Sequence, residues 1–119
     1  MTLPARLKHN TRRAYKEREY PRHRKWVRGH GCCVPGCVQD INDPMTIPIE
    51  AAHVRRNTDG GTALKPHDKW CISLCAKHHK EQHRADLTFE RKYKIDTREL
   101  AKEFAAKSPY RFEWENDHG

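Results

Sequence analysis

Long apolar runs are missing from this sequence. No stretch approaches the roughly 20 residues a membrane-crossing helix needs, so a membrane partner is not expected. Apolar residues are scarce, at 35% against 34% charged, and aromatics contribute only 8%. A chain of 119 residues with that balance can bury only one small core, and cores of this size are commonly stapled by a metal or by disulfides. Residues 1–10 are basic but carry no apolar stretch, so they do not read as an export signal. Without export, and with five cysteines, an odd number, a disulfide framework is not expected either. The reading is a cytoplasmic protein whose staple is a metal. Internal repeats and low-complexity tracts are also absent.

Charge is abundant and unevenly placed. The net charge is +8 at neutral pH. Residues 1–28 hold ten Lys and Arg against Glu17 and Glu19, so this segment alone accounts for the whole excess. A concentrated cationic stretch suits a polyanion, because each neutralised phosphate releases counterions. Tyr15, Tyr20 and Trp26 interleave with the charge and add stacking surfaces for nucleic acid. Arg12, Arg13, Lys16, Arg22, Arg24, Lys25 and Arg28, with Arg55 further along, are the candidate DNA-binding residues, and DNA is the expected partner.

Five cysteines and nine histidines, most of them clustered, are the second unusual feature. A structural zinc site takes four N or S ligands, usually as two close pairs. The turn signal Pro35-Gly36 brings together Cys37 and either Cys32 or Cys33. For the second pair, Cys71 and Cys75 lie roughly 13 Å apart if their segment is extended, too far to share an ion. Cys75 and His78 instead span a strand-to-helix turn with a two-residue spacer. Cys71 then reads as a small core residue. His79 and His83, at i and i+4, share one face of the helix expected over 76–84 and could clamp a second ion. His78 points about 100° away from His79.

The remaining elements follow from pattern. Residues 1–21 read as a basic arm with a helical turn or two in 10–19, Trp26-Val27 as an apolar anchor, and 38–47 as polar loop. Strands are expected at 49–54 and 69–74, the second from the alternation of Trp70, Ile72 and Leu74. Thr88 can cap a helix at 89–93, and Asp96 with Glu99 makes a capping box for 97–107. Phe89, Ile95, Leu100, Ala101 and Phe104 are the inward-facing residues, and 108–119 reads as a polar tail that frays. Residues 22–107 are thus the expected domain.

His53-Val54, Gly60-Gly61 and Leu74-Cys75-Ala76-Lys77-His78-His79-Lys80-Glu81-Gln82-His83 together resemble the HNH endonucleases of the ββα-metal (His-Me finger) fold. Cys32-Cys33-Val34-Pro35-Gly36-Cys37 resembles the zinc knuckle of such proteins and selects Cys32 over Cys33. Glu50-Ala51-Ala52-His53-Val54-Arg55, Lys65-Pro66-His67-Asp68-Lys69-Trp70 and Phe89…Ile95-Asp96 are more narrowly similar to phage and prophage nucleases of the recombination-enhancing Ref type. The resemblance covers about residues 22–105.

It implies an α+β fold, a ββα-metal core stapled by zinc on Cys32, Cys37, Cys75 and His78, with flanking helices and a basic N-terminal arm. It further implies DNA hydrolysis of low sequence specificity, leaving 5′-phosphate and 3′-hydroxyl ends. His53 would be the general base, and His79 with His83 would hold a catalytic Mg2+, Mn2+ or Zn2+ ion. A recombinase or another phage or bacterial DNA-processing protein is the implied protein partner. Two departures stand out. Ala52 occupies the position where many relatives carry a metal-ligating Asp or His, and Trp70 stands in place of the central Asn. Asp68 is the expected substitute, either ligating the ion or orienting His53. Glu50 is expected to face away, being of opposite strand parity to His53, and nothing supports a role for His67. A catalytically idle, zinc-stapled DNA-binding module is the alternative that Ala52 keeps open.

Overall fold

Two short strands and five α-helices make up residues 18–37, 47–59 and 65–115, the part of the chain that the computed structural model describes. Helix α1 (Pro21–Arg28) starts on a proline, whose missing N–H is no loss in a first turn. It ends on Lys25 and Arg28, which face the negative end of the helix dipole. His23 and Val27, one turn apart, are its buried stripe. The sequence pattern predicts only an apolar anchor here. The following turn needs its glycine: Cys37 donates its amide to the Val34 carbonyl at 3.1 Å, and Gly36, at the third position, has φ +78°.

Strand β1 (Ile49–His53) pairs antiparallel with β2 (Cys71–Cys75), in a register running from Ile49 opposite Cys75 to His53 opposite Cys71. The second strand begins later than expected. Asp68–Trp70 form a 3-10 turn, capped by the His67 ring, which accepts the Lys69 amide. Every residue of β2 is buried, so its apolar alternation does not mark one wet face. It is covered on both sides by helices and loop, which also explains why alternation locates its start poorly.

Helix α2 (Ala76–Arg84) follows β2 directly, so β1, β2 and α2 form a ββα unit. Helix α3 begins at Asp86, before Thr88, and Ala85 at its start makes no side-chain cap; the expected Thr88 cap is therefore not formed. It runs to Tyr93 and ends on Lys94 in the left-handed region. Helix α4 (Thr97–Lys107) matches its expectation, with the Asp96 carboxylate accepting the Glu99 amide at 3.1 Å. Val34, Ala52, Val54, Ile72, Leu74, Phe89 and Ala101 form the core, with Ile95, Leu100 and Phe104 packed around it.

Both expected boundaries move outward. Arg18 and Tyr20, assigned to the arm, are built into the fold: the Arg18 carbonyl accepts the Asp68 amide at 2.9 Å, and its guanidinium holds the Lys65 carbonyl and Asp59. The expected tail does not fray through residue 115. Ser108 is buried, and a short helix α5 (Phe112–Glu115) places Trp114 against Tyr20, His23 and His67. Buried aromatic area, which a composition reading of the polar tail undervalues, fixes this segment. Arg12, Arg13, Lys16 and Gly60-Gly61 lie outside the described residues, as do 10–17 and most of the loop 38–47.

Candidate active site and metal cluster

His53 ends β1 and Asp68 opens the 3-10 turn that leads into β2, so the antiparallel pairing sets the two side by side. His53 Nε2 and Asp68 Oδ1 are 2.7 Å apart. The other carboxylate oxygen accepts the Tyr20 amide at 2.6 Å and meets the Arg24 guanidinium at 3.1 Å. Burial works against a charge on Asp68, but the bond from His53, the Tyr20 amide and Arg24 outweigh it and hold the carboxyl below its ordinary value. Asp68 is therefore an ionised, fully engaged carboxylate. Of its two expected roles, this geometry matches orientation of His53.

His53 opens onto a cleft of about 440 Å³. Arg24 and Arg28 enter it from α1, Glu50 and Ala51 from β1, Arg55 and Lys65 from the flanking loops, and His79 and His83 from α2. The four cations and two imidazoles thus surround the one histidine that has a buried carboxylate behind it. His79 Nδ1 lies 2.8 Å from Glu50 Oε1. Glu50 accordingly does not face away, as parity required. A two-stranded ribbon twists strongly and β1 has no second strand partner among the described residues, so a long side chain can reach round its edge. His79, His83 and Glu50 share the cleft but are not drawn together as tightly as the cysteine cluster described next. Lys65 was missed by sequence reasoning, since only its loop's return beside β1 brings it here.

The basic residues expected on DNA divide. Arg24, Arg28 and Arg55 line the cleft. Arg22 instead pairs with Glu113 at 3.0 Å and lies over Tyr110 and Phe112, and Lys25 is exposed on α1 away from the cleft. His67 is a structural cap, stacked on Tyr20 at 4.8 Å.

Cys32, Cys37, Cys75 and His78 present ligand atoms that all lie within 4.8 Å of one another. His78 Nδ1 is 3.5 Å from Cys32 Sγ and 3.2 Å from Cys75 Sγ. Such a cluster can bind a metal such as zinc. Burial pushes the Cys32 thiol up to about 12, against backbone hydrogen bonds from Cys75 and Val34; a dication would reverse that by stabilising the thiolate. Burial also lowers His78, favouring the neutral ring that ligates. Cys33 is turned out of the cluster: its amide donates to the Ser73 carbonyl at 2.8 Å and its Sγ sits 3.5 Å from Ser73 Oγ. Cys71 is fully buried in the sheet, outside the cluster, with its thiol pushed far up by burial.

A protein-family model described as DUF968, a protein of unknown function, matches residues 6–108. The uncharacterized protein YdfU of Escherichia coli (strain K12) is 33% identical over 82 residues, which cover 69% of this chain and 20% of that protein. The chain thus spans about a fifth of that relative's length. No solved structure matches.

Proposed function

The chain belongs to the DUF968 family, and on that premise, joined to the geometry of the cleft, we propose that it is a metal-dependent endonuclease of the HNH type that hydrolyses DNA, with His53 as general base. The observation that carries this reading is the 2.7 Å bond between His53 Nε2 and Asp68 Oδ1 inside a cleft flanked by cations. A carboxylate at Nε2 keeps the neutral ring's proton there and leaves the lone pair on Nδ1. Nδ1 then accepts a proton from the attacking water, and the imidazolium that forms is stabilised by Asp68 behind it. Arg24 and the Tyr20 amide hold the carboxylate in position and ionised. Arg28, Arg55 and Lys65 supply positive charge where a phosphate backbone would lie.

His79 and His83, with Glu50 beside them, are the donors suited to a divalent ion, which when bound supplies Lewis-acid stabilisation of the leaving 3′ oxygen. The donor types fit: two imidazoles come from α2, and the Glu50 carboxylate from β1 supplies the acidic ligand that Ala52 cannot. Cys32, Cys37, Cys75 and His78 would hold a structural zinc, which would tie the turn of residues 34–37 to the start of α2 and take no part in the chemistry.

Plasmid DNA with Mg2+ or Mn2+ tests this. The wild-type protein nicks or linearises it. His53→Ala does not, yet keeps its zinc and binds DNA within about two-fold of wild type, because a base is needed only as the reaction proceeds. Equal cleavage by both proteins removes His53 from the mechanism. DNA binding by an inert wild type would instead make the chain a zinc-stapled DNA-binding module.

A further inference from the structure

We propose that His53, Asp68 and Cys71 form a further metal site, distinct from the four-ligand cluster and from the His79 and His83 donors, selective for a soft or borderline divalent cation such as Zn2+, whose occupation switches the general base off. The site itself stands on geometry alone; only its inhibitory consequence rests on the nuclease reading.

The ligand atoms of the three residues all lie within 4.8 Å of one another. His53 and Cys71 are directly opposed in the strand ladder, which puts their side chains on the same face of the ribbon. Asp68 stands three residues before Cys71 and already touches His53. Among the described residues the Cys71 thiol makes no hydrogen bond, and it is absent from the four-ligand cluster. A carboxylate and an imidazole thus lie within reach of its sulfur. Asp68 and Cys71 are buried, whereas the His53 side chain is 14% exposed towards the cleft. An ion would therefore enter past His53 and keep one coordination position open to cleft water.

Thiolate, imidazole and carboxylate oxygen are a zinc-type donor set, and the thiolate discriminates against Mg2+. Zinc bond lengths place donors roughly 3.3 Å apart in a tetrahedral site, so the His53–Asp68 contact must open by less than about 1 Å. Asp68 would ligate through Oδ1, leaving Oδ2 on the Tyr20 amide and Arg24. The nearby Arg24 charge opposes the cation, so this site fills after the four-ligand cluster. The protons balance simply. The Cys71 thiol loses its proton to solvent. The His53 ring proton is displaced from Nε2 and reappears on Nδ1 through exchange with water. Asp68 is already ionised. One proton is released per ion bound. With Nδ1 protonated and Nε2 on the metal, His53 has no lone pair left to accept a proton from water.

The full-length protein, preloaded with one equivalent of Zn2+, is titrated with Co2+ and followed by its thiolate-to-cobalt absorption. Wild type develops a new thiolate band as one equivalent of Co2+ binds, distinct from any cobalt on His79 and His83, which carry no thiolate. Cys71→Ser and Cys71→Ala lose that band while keeping the first equivalent and a wild-type circular dichroism spectrum. In plasmid cleavage with Mg2+, added Zn2+ inhibits wild type, and Cys71→Ala raises the inhibitory concentration at least ten-fold, each protein referred to its own zinc-free rate. A zinc-loaded wild type that shows no new thiolate band, or a new band surviving in both Cys71 variants, overturns the proposal. A Cys71-dependent thiolate band in a protein that cleaves nothing sustains the metal site and sinks the nuclease reading instead.

Discussion

At the scale of single residues, Asp68 is the pivot. It lies at the junction of three chain segments, reached by His53, by the Tyr20 amide and by Arg24. Asp68→Asn keeps the shape but removes the charge, and the amide can hold His53 in the wrong tautomer. Cleavage is expected to drop by roughly 10²- to 10⁴-fold with DNA affinity little changed, measured by single-turnover rates beside fluorescence anisotropy. His23 gives a pH dependence of known sign. Its ring is buried, bonded through Nδ1 to Ser108 Oγ at 2.9 Å, and packed on Trp114. Burial lowers its pKa from 6.5 to about 4, partly opposed by Asp68. The unfolded chain therefore binds a proton between those values that the folded chain refuses. Stability conferred by neutral His23 is complete above about 6.5 and declines as the pH falls to about 4, by roughly 1.4 kcal/mol per unit. Thermal melts of wild type should lose stability across that window, and His23→Phe should flatten the slope. An unchanged slope would assign the acid sensitivity elsewhere.

At the scale of elements, the metal cluster joins a loop turn to a strand–helix junction. Cys37 is presented by the Val34–Gly36 turn, while Cys75 closes β2 and His78 lies in the first turn of α2. Without the ion, three thiols and an imidazole are crowded together with no counter-charge. A metal ion bound there would couple binding to folding. Cys75→Ser should lose the zinc, and a cost of a few kcal/mol lowers the melting midpoint by roughly 10–20 °C. Cys33→Ser should keep the zinc, since Cys33 is tied to Ser73 instead. Metal analysis by mass spectrometry separates the two, and loss of zinc from Cys33→Ser would reassign the ligands.

At the scale of the whole molecule, the positive charge has two parts. Arg24, Arg28, Arg55 and Lys65 are fixed around the cleft. Arg6, Lys8, Arg12, Arg13 and Lys16 precede the first described residue. Because Arg18 and Tyr20 belong to the fold, a deletion that tests the arm stops at residue 17. That deletion should make DNA affinity less steeply dependent on salt. On duplex, the logarithmic slope falls by roughly 0.9 for each phosphate that the arm no longer neutralises. A deletion reaching residue 20 should unfold part of the site, because it removes the amide that holds Asp68. An unchanged salt slope in the shorter deletion would place the arm off the DNA.

What the sequence by itself determined is what short spacings impose. The Pro35-Gly36 turn, the two-residue spacer between Cys75 and His78, the i, i+4 pair His79 and His83, and the Asp96 cap of α4 are set within four residues, where bond geometry leaves few alternatives. Those spacings made Cys37, Cys75 and His78 legible as cluster members, and the resemblance to a zinc knuckle selected Cys32 over Cys33. The tertiary structure decided everything that depends on distant segments meeting. It turned Asp68 towards His53, brought Glu50 round the ribbon edge to His79, and set Cys71 beside the His53–Asp68 pair. It also anchored Tyr20 and Trp114 where a basic arm and a polar tail were expected. Those contacts join residues tens of positions apart, and packing of a small, charge-rich chain around one thin core selects them. Local periodicity carries no trace of that choice.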